Sequence, residues 1–240
     1  SFQYFEPQSA FRTKFDYDNL LYMIAGEVIH RVSGMKWEDF VEQRIFNPLG
    51  MDHTFSNLAR SGSDKNLATP HTTDGCPIRP LPHFVTPEGT SNGAAASILS
   101  NVNDLCEWMM LHLNEGRYGK GLTKRVFTNA RQREMWTIHT AQPARWDSRY
   151  RTHFRGYGLG WGLRDICGNM SVSHTGGLPG MLSRTVMIPD LELGVVVLTN
   201  TANGGGGVFT AVSRTIVDSY LGLKIDAPCF VHHGNIFHWS

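Results

Sequence analysis

An α+β domain is the fold class this sequence predicts, and three observations lead to it. Helical apolar patterns fill the first half of the chain. The runs "MSVSHT", "LSRTVMIPD" and "LGVVVLTN" then follow as short β-rich segments joined by Gly and Pro-Asp turns, and one more amphipathic helix closes the pattern. At 240 residues and 41% hydrophobic, the chain is long enough for one substantial core. Its 22 Lys and Arg against 21 Asp and Glu leave a formal charge of +1, which gives no electrostatic footprint for nucleic acid or an anionic membrane. The expected partner is a small molecule or a peptide. "LGVVVLTN" is the longest apolar run; it is far too short to span a membrane and reads as a buried strand.

In chain order, "YDNLLYMIAGEVIHRVSG" (17–34) carries Leu20, Leu21, Ile24, Val28 and Val32 at helical spacing, so a helix with a buried stripe is expected. Asp16 or Asp18 caps it and Gly34 closes it. A second helix fits "KWEDFVEQRIF" (36–46), ended by Pro48 and Gly50. Residues 57–93 show no period and read as a long excursion able to border a pocket. In "NVNDLCEWMMLHLNEG" (101–116), Asn101 is a cap, Asp104 sits at the capping-box offset and Gly116 is a stop. "GYGLGWGL" (156–163) reads as a Gly-interleaved strand, the three β-rich runs as an antiparallel meander, and "GVFTAVSRTIVDSYLG" (207–222) as the closing helix.

The four cysteines, Cys76, Cys106, Cys167 and Cys229, show no CxxC spacing, so neither a zinc site nor a redox motif is expected, and no metal or cofactor is called for. Together with the glycosylation sequon Asn169-Met170-Ser171 they lean towards an extracytoplasmic or secreted setting without fixing one. His232, His233 and His238 form a terminal cluster that reads as a polar tail or as metal ligands.

Two short stretches carry chemistry. Tyr17 and Asn19 stand at the mouth of the first helix, where a phenol and an amide can enter one cleft. A phenol near pKa 10 becomes a useful base at neutral pH only beside cations. In "HTGG" (174–177), His174 supplies an imidazole and Thr175 a hydroxyl, while Gly176 and Gly177 let backbone N–H groups approach a developing oxyanion. The plain alternatives are an anchored phenol, a helix-start amide and a hydrogen-bonded core histidine, since alternation puts His174 on the face of Met170 and Val172.

Taken together and in order, "FDYDNLLYMIAGEVIHRVSG", "IFNPLGM", "SNGAAASILSNVNDLCEWM", "GYGLGW", "HTGGLPGMLS" and "MIPDLELGVVVLTN" resemble successive blocks of the serine β-lactamase and penicillin-binding-protein-like family. The likeness is greatest to its class C, esterase and D-aminopeptidase-like branch. That family sets a Ser-x-x-Lys nucleophile motif, a Tyr-x-Asn motif and a Lys/His-Thr-Gly motif around one cleft. The resemblance implies a β-lactamase/transpeptidase-like fold, an antiparallel sheet flanked by helices with a helical lobe. It also implies a serine hydrolase acting on ester or amide substrates, D-amino peptides included, through an acyl-enzyme. Tyr17 would be general base or acid, Asn19 would orient lysine and substrate, His174, Thr175 and Gly176 would line the site, and Gly177 N–H would be an oxyanion donor. Histidine at 174 in place of lysine resembles the esterase and peptidase branches. Asp18, where the family has a small residue, is a departure.

The one Ser-x-x-Lys string present, Ser33-Gly34-Met35-Lys36, fits poorly. Gly34 looks like a helix stop, and a helix over 17–33 would hold Ser33 roughly 24 Å from Tyr17. The resemblance therefore implies that residues 1–223 are the C-terminal portion of the catalytic domain, its N-terminal part and nucleophile upstream of Ser1, with 224–240 a tail. The alternative is a non-catalytic relative that serves as a binding or matrix protein. Oligomeric state and substrate stay open.

Overall fold

The computed structural model describes residues 6, 9–62, 66–73, 77–83, 93–144, 147–224, 230–232 and 235–237. The first expected helix forms as α1 (Asn19–Ser33): the Asp18 carboxylate accepts from the Leu20 N–H at 2.7 Å, and Gly34 closes it at φ 71°. Its apolar stripe differs from expectation. Leu20, Leu21, Ile24, Val28 and Val32 are exposed, Val32 by 83%. The face α1 buries is that of Gly26, where an added Cβ would lie 2.7 Å from Ala94 Cβ and touch the Trp37 ring. Periodicity finds the apolar face of a helix; close backbone approach at Gly26 decides which face packs among the described residues.

Next come α2 (Trp37–Val41), a π-helical turn over Glu42–Phe46 and a last turn, α3 (Asn47–Leu49). Pro48, expected to stop the helix, sits inside it instead, because the wider π turn accommodates a missing N–H, and Gly50 at φ 70° ends the run. A small hairpin of β1 (His71–Thr72) with β2 (Arg79–Pro80) and the short α4 (Gly93–Ala96) follow. In α5 (Val102–Leu113) the Asn101 side chain accepts from the Asp104 N–H at 3.1 Å as expected. The Asp104 carboxylate closes no capping box. It accepts from His53 N–H at 3.0 Å and Thr54 Oγ1 at 2.7 Å, which ties α5 to the end of the α2–α3 segment. Val41, Phe46, Leu49, Met51 and Leu111 form the core of this helical lobe.

A second hairpin, β3 (Arg117–Tyr118) with β4 (Lys124–Arg125), leads to α6 (Asn129–Met135). The sheet then forms from β5 (Thr140–Gln142), β6 (Arg155–Tyr157), β7 (Gly162–Ile166), β8 (Asn169–Leu178), β9 (Met181–Ile188) and β10 (Leu193–Thr199). All six are antiparallel in the order β10-β9-β8-β7-β6-β5, so the meander expected from three runs extends over the whole sheet. "GYGLGWGL" is two strands rather than one, because Gly160 at φ 80° turns the chain between β6 and β7. The closing helix is α7 (Gly205–Tyr220), and β11 (Phe230–His232) pairs with β12 (Asn235–Phe237) in the tail.

Two layers cover the sheet. Ile166, Val186, Ile188 and Val195 pack with Val217 of α7 on one face. On the other, Leu163, Val172 and Met187 meet Met109 of α5. Val172 and Met187 are cross-strand partners, each 0% exposed, and burial of such a side chain stabilises by about 1.5–3 kcal/mol. The result is the α+β architecture the sequence implied. Cys106 and Cys167 are free thiols, whereas Cys76, Cys229, His233 and His238 lie outside the described residues. The Asn169 amide donates to the Cys167 carbonyl at 3.2 Å inside the β7–β8 turn, and Ser171 is buried, so the sequon sits in folded sheet.

Candidate active site

The hairpin geometry of β8 makes the site. β7 begins at Gly162, opposite Ser173, so among the described residues β8 from His174 to Leu178 is paired only with β9 and has a free edge. Two tight hairpins bracket the strand, Ile166 opposite Asn169 and Leu178 opposite Met181, and the residues flanking a two-residue loop form a hydrogen-bonded pair. Counting from either hairpin gives the same parity. The N–H and C=O groups of Asn169, Ser171 and Ser173 point at β7, and those of Thr175 and Gly177 point off the free edge. A strand edge offering N–H groups to a cleft has the geometry of an oxyanion donor.

That edge borders a cleft of about 880 Å³ lined by Tyr17, Asn19, Tyr157, His174, Thr175 and Gly177 among others. Five of the six residues expected at the site thus come together, although Tyr17 and His174 are far apart in sequence. The sixth, Gly176, is off the cleft: a Cβ there would collide with Ser183 Oγ on β9, so glycine makes room between strands. None of the described residues between 57 and 83 lines the cleft, contrary to the pocket-bordering expectation for that stretch. Tyr17 is half-exposed, its ring 6.1 Å from the His174 ring and edge-on to Tyr157 at 6.5 Å. Among the described residues neither its hydroxyl nor the Asn19 amide makes a hydrogen bond, which leaves both for a ligand.

His174 is half-buried. Burial pushes its imidazole below the ordinary 6.5, partly offset by a hydrogen bond to the Thr175 backbone, so the ring is neutral at neutral pH. Its Nε2 is 2.7 Å from Tyr157 Oη. Burial, then the neighbouring Tyr22 and Tyr17, push the Tyr157 phenol well up, so Tyr157 keeps its proton. The histidine is therefore not a satisfied core residue; it faces the cleft on one side and a phenol on the other.

Positive charge in the cleft comes from arginines. Arg164 and Arg184 line it on the Thr175 side, Arg184 being the cross-strand partner of Thr175. Burial lowers both guanidinium pKa values, helped by repulsion from Arg155 and Arg214 at Arg164 and from Arg164 and Arg214 at Arg184, yet arginine stays charged. Each lies against an aromatic ring, Arg164 over Tyr150 and Arg184 over Phe209, and the buried Arg184 Nε has no hydrogen-bond acceptor among the described residues. Sequence reasoning missed Tyr157, Arg164 and Arg184. The Pro179-Gly180 turn held the signal for Arg184, because a hairpin folded there sets residue 184 opposite residue 175.

Ser33 and Lys36 are far from this cleft, as the helix stop implied. The Ser33 hydroxyl donates to the Ile29 carbonyl at 2.6 Å in the last turn of α1, and Lys36 lies beyond Gly34 as the N-cap of α2.

A helical lobe beside an antiparallel sheet, with a tyrosine and a histidine strand edge facing one cleft, defines a protein of the serine β-lactamase and penicillin-binding-protein type. The sequence profile of the beta-lactamase family matches residues 2–214, and the chain belongs to that family. It is 28% identical over 237 residues to an unguisins hydrolase of Aspergillus campestris (strain IBT 28561), covering 94% of this chain and 40% of that protein. Among solved structures it resembles the octameric penicillin-binding protein homologue from Pyrococcus abyssi (TM-score 0.73, 22% identity, 90% of this chain and 45% of that one). It also resembles the D-amino acid amidase from Ochrobactrum anthropi SV3 complexed with L-phenylalanine amide (TM-score 0.66, 20% identity, 87% of this chain and 58% of that one). The chain spans about two fifths of the length of the unguisins hydrolases it matches.

Proposed function

We propose that the full-length protein is a serine hydrolase that cleaves amide or ester bonds, those of D-amino peptides included, through an acyl-enzyme, and that a Ser-x-x-Lys preceding Ser1 supplies its nucleophile. The observation that carries this reading is the convergence of Tyr17, Asn19, His174, Thr175 and the outward N–H of Gly177 on one cleft. Family membership supports it, as do relatives named as an unguisins hydrolase and a D-amino acid amidase.

In this reading the serine Oγ attacks the substrate carbonyl while its proton passes to the lysine–Tyr17 pair. The tetrahedral oxyanion is held by Gly177 N–H together with the serine's own N–H, and Tyr17 returns the proton to the leaving group. Asn19 orients the lysine and the substrate amide. Neutral His174 provides a hydrogen bond rather than a fixed charge, so the positive charge of this cleft comes from Arg155, Arg164 and Arg184, with Asp147 as a carboxylate beside them. Arg184, across from Thr175, favours substrates with a carboxylate on the Thr175 side of the scissile bond.

Kinetics on the full-length protein test the assignment. Tyr17→Phe lowers kcat by about 10²- to 10⁴-fold with the fold intact, the usual range for losing a general acid or base. Turnover unchanged in Tyr17→Phe would remove Tyr17 from the mechanism. Complete inertness of the wild type towards esters, amides and D-amino peptides would favour a non-catalytic binding protein.

A further inference from the structure

Three polar side chains of the cleft have no part in acyl transfer itself. Gln142 of β5 is the cross-strand partner of Arg155 on β6, and Arg155 is the partner of Arg164 on β7. Residues directly opposite in an antiparallel pair share a face of the sheet, so an amide and two guanidinium groups lie in one row across three strands. All three line the cleft. Like charges directly opposite each other destabilise a sheet, and among the described residues none of the three makes a side-chain hydrogen bond or an ion pair that would offset the cost. Asp147 supplies the one carboxylate of the described lining, and its Oδ1 accepts the backbone N–H groups of Arg149 at 3.0 Å and Tyr150 at 3.4 Å.

The row has a fixed end and a free one. Arg164 is half-buried, its Cζ 5.3 Å from the centre of the Tyr150 ring, and Arg214 of α7 holds its Cζ 5.4 Å from the centre of the same ring. That ring is itself anchored, because the buried Tyr150 donates its hydroxyl to Asp218 at 2.7 Å. Arg155 is exposed and able to turn towards a ligand. Two guanidinium forks with an amide beside them converge donors on one place, the arrangement that binds a carboxylate.

Register sets the reach. Arg164 stands opposite Ser171 on β8, while Thr175 and Gly177 are further along the same strand, four and six positions on. At about 3.3 Å per residue those positions are about 13 and 20 Å from the row, the span of about four to six extended residues.

We propose that Gln142, Arg155 and Arg164 form a second anion subsite of the cleft, which takes a carboxylate side chain of a peptide substrate about four to six residues from the scissile bond. The substrate class is then an acidic peptide rather than a single amino acid amide. The kinetic consequence rests on the hydrolase reading; the binding does not.

The test uses full-length protein and D-alanine peptides that carry one D-glutamate at each position in turn, each matched to the same peptide with D-glutamine. Affinity is read by calorimetry on Tyr17→Phe protein, where turnover is slow. At low salt one glutamate position is expected to bind about tenfold tighter than its glutamine match, and the gain fades as salt rises. In wild-type kinetics that position lowers KM by about the same factor with kcat little changed. Arg155→Gln, at an exposed place, brings the glutamate-to-glutamine ratio close to one, and Arg155→Glu abolishes the preference. Equal affinities at every position would overturn the subsite, and so would a preference that survives Arg155→Gln. Equal affinities together with lower urea stability in Arg155→Glu would seat a carboxylate of the protein's own upstream segment on the row, which overturns the substrate reading too. Calorimetry needs no turnover, so a glutamate preference in wild-type protein that cleaves nothing would sink the hydrolase reading and leave the subsite standing.

Discussion

Acid should weaken this fold through one histidine. His112 of α5 is 1% exposed, with Nδ1 2.9 Å from Gln132 Oε1 and the rings of Trp108, Trp161 and Phe127 centred 4.5, 5.1 and 5.2 Å away. Burial pushes its pKa from the ordinary 6.5 down to about 4. An unfolded chain takes up this proton near 6.5 and the folded one only near 4, so between those values the unfolded state holds more protons. The stabilisation is complete above 6.5 and is lost as pH falls towards 4. At about 1.4 kcal/mol per pH unit the gap amounts to about 3 kcal/mol. The perturbation is His112→Gln, which removes the titrating group while keeping a polar side chain. Urea unfolding at about pH 7.5 and about pH 4 reads the result. Wild type is more stable than the variant at the higher pH, and its advantage shrinks by about 3 kcal/mol at the lower one. Groups common to both proteins cancel in that difference. If wild type and variant lose stability in parallel, the buried neutral imidazole is not what acid attacks.

Other substitutions probe the scaffold. Asp218 of α7 is buried, accepts from Tyr150 Oη at 2.7 Å and pairs with Arg149 at 2.7 Å. Asp218→Asn is expected to cost about 3 kcal/mol in chemical denaturation, since it leaves a partly buried guanidinium without its anion. Gly180 and Gly34 both have positive φ, 78° and 71°, but a Cβ at Gly180 would meet Pro70 Cβ at 2.5 Å and His71 N at 2.8 Å, while one at Gly34 meets nothing within 4 Å. Gly34→Ala should therefore cost about 1 kcal/mol and Gly180→Ala clearly more, upwards of about 2 kcal/mol, in the same assay.

What could be read from the sequence was whatever local chemistry decides. Asp18, Gly34 and Asn101 act within a few residues, and they appear in the structure where the pattern put them. The stripe of α1 was legible as apolar yet illegible as exposed, because exposure depends on which elements come to lie against it. Pro48 misled because a π turn is set by packing around it rather than by its own residue. The same division holds at the site. Tyr17, Asn19, His174, Thr175 and Gly177 stood out as motifs, and their meeting in one cleft is tertiary. Tyr157 sat in plain view inside "GYGLGW", where glycine spacing marks a strand and nothing local announces a hydrogen bond to a histidine on β8. Arg164 and Arg184 look like ordinary sheet arginines until the register places Arg184 across from Thr175 and the fold buries its Nε without a hydrogen-bond acceptor among the described residues.

The most direct test of the acyl-enzyme account is to treat the full-length native protein with a serine-reactive phosphonate, weigh it intact and map the labelled peptide. The account predicts one adduct, on the serine of a Ser-x-x-Lys that precedes Ser1, with labelling slowed in Tyr17→Phe. No adduct, or an adduct on Ser33 at the far end of α1, would contradict it.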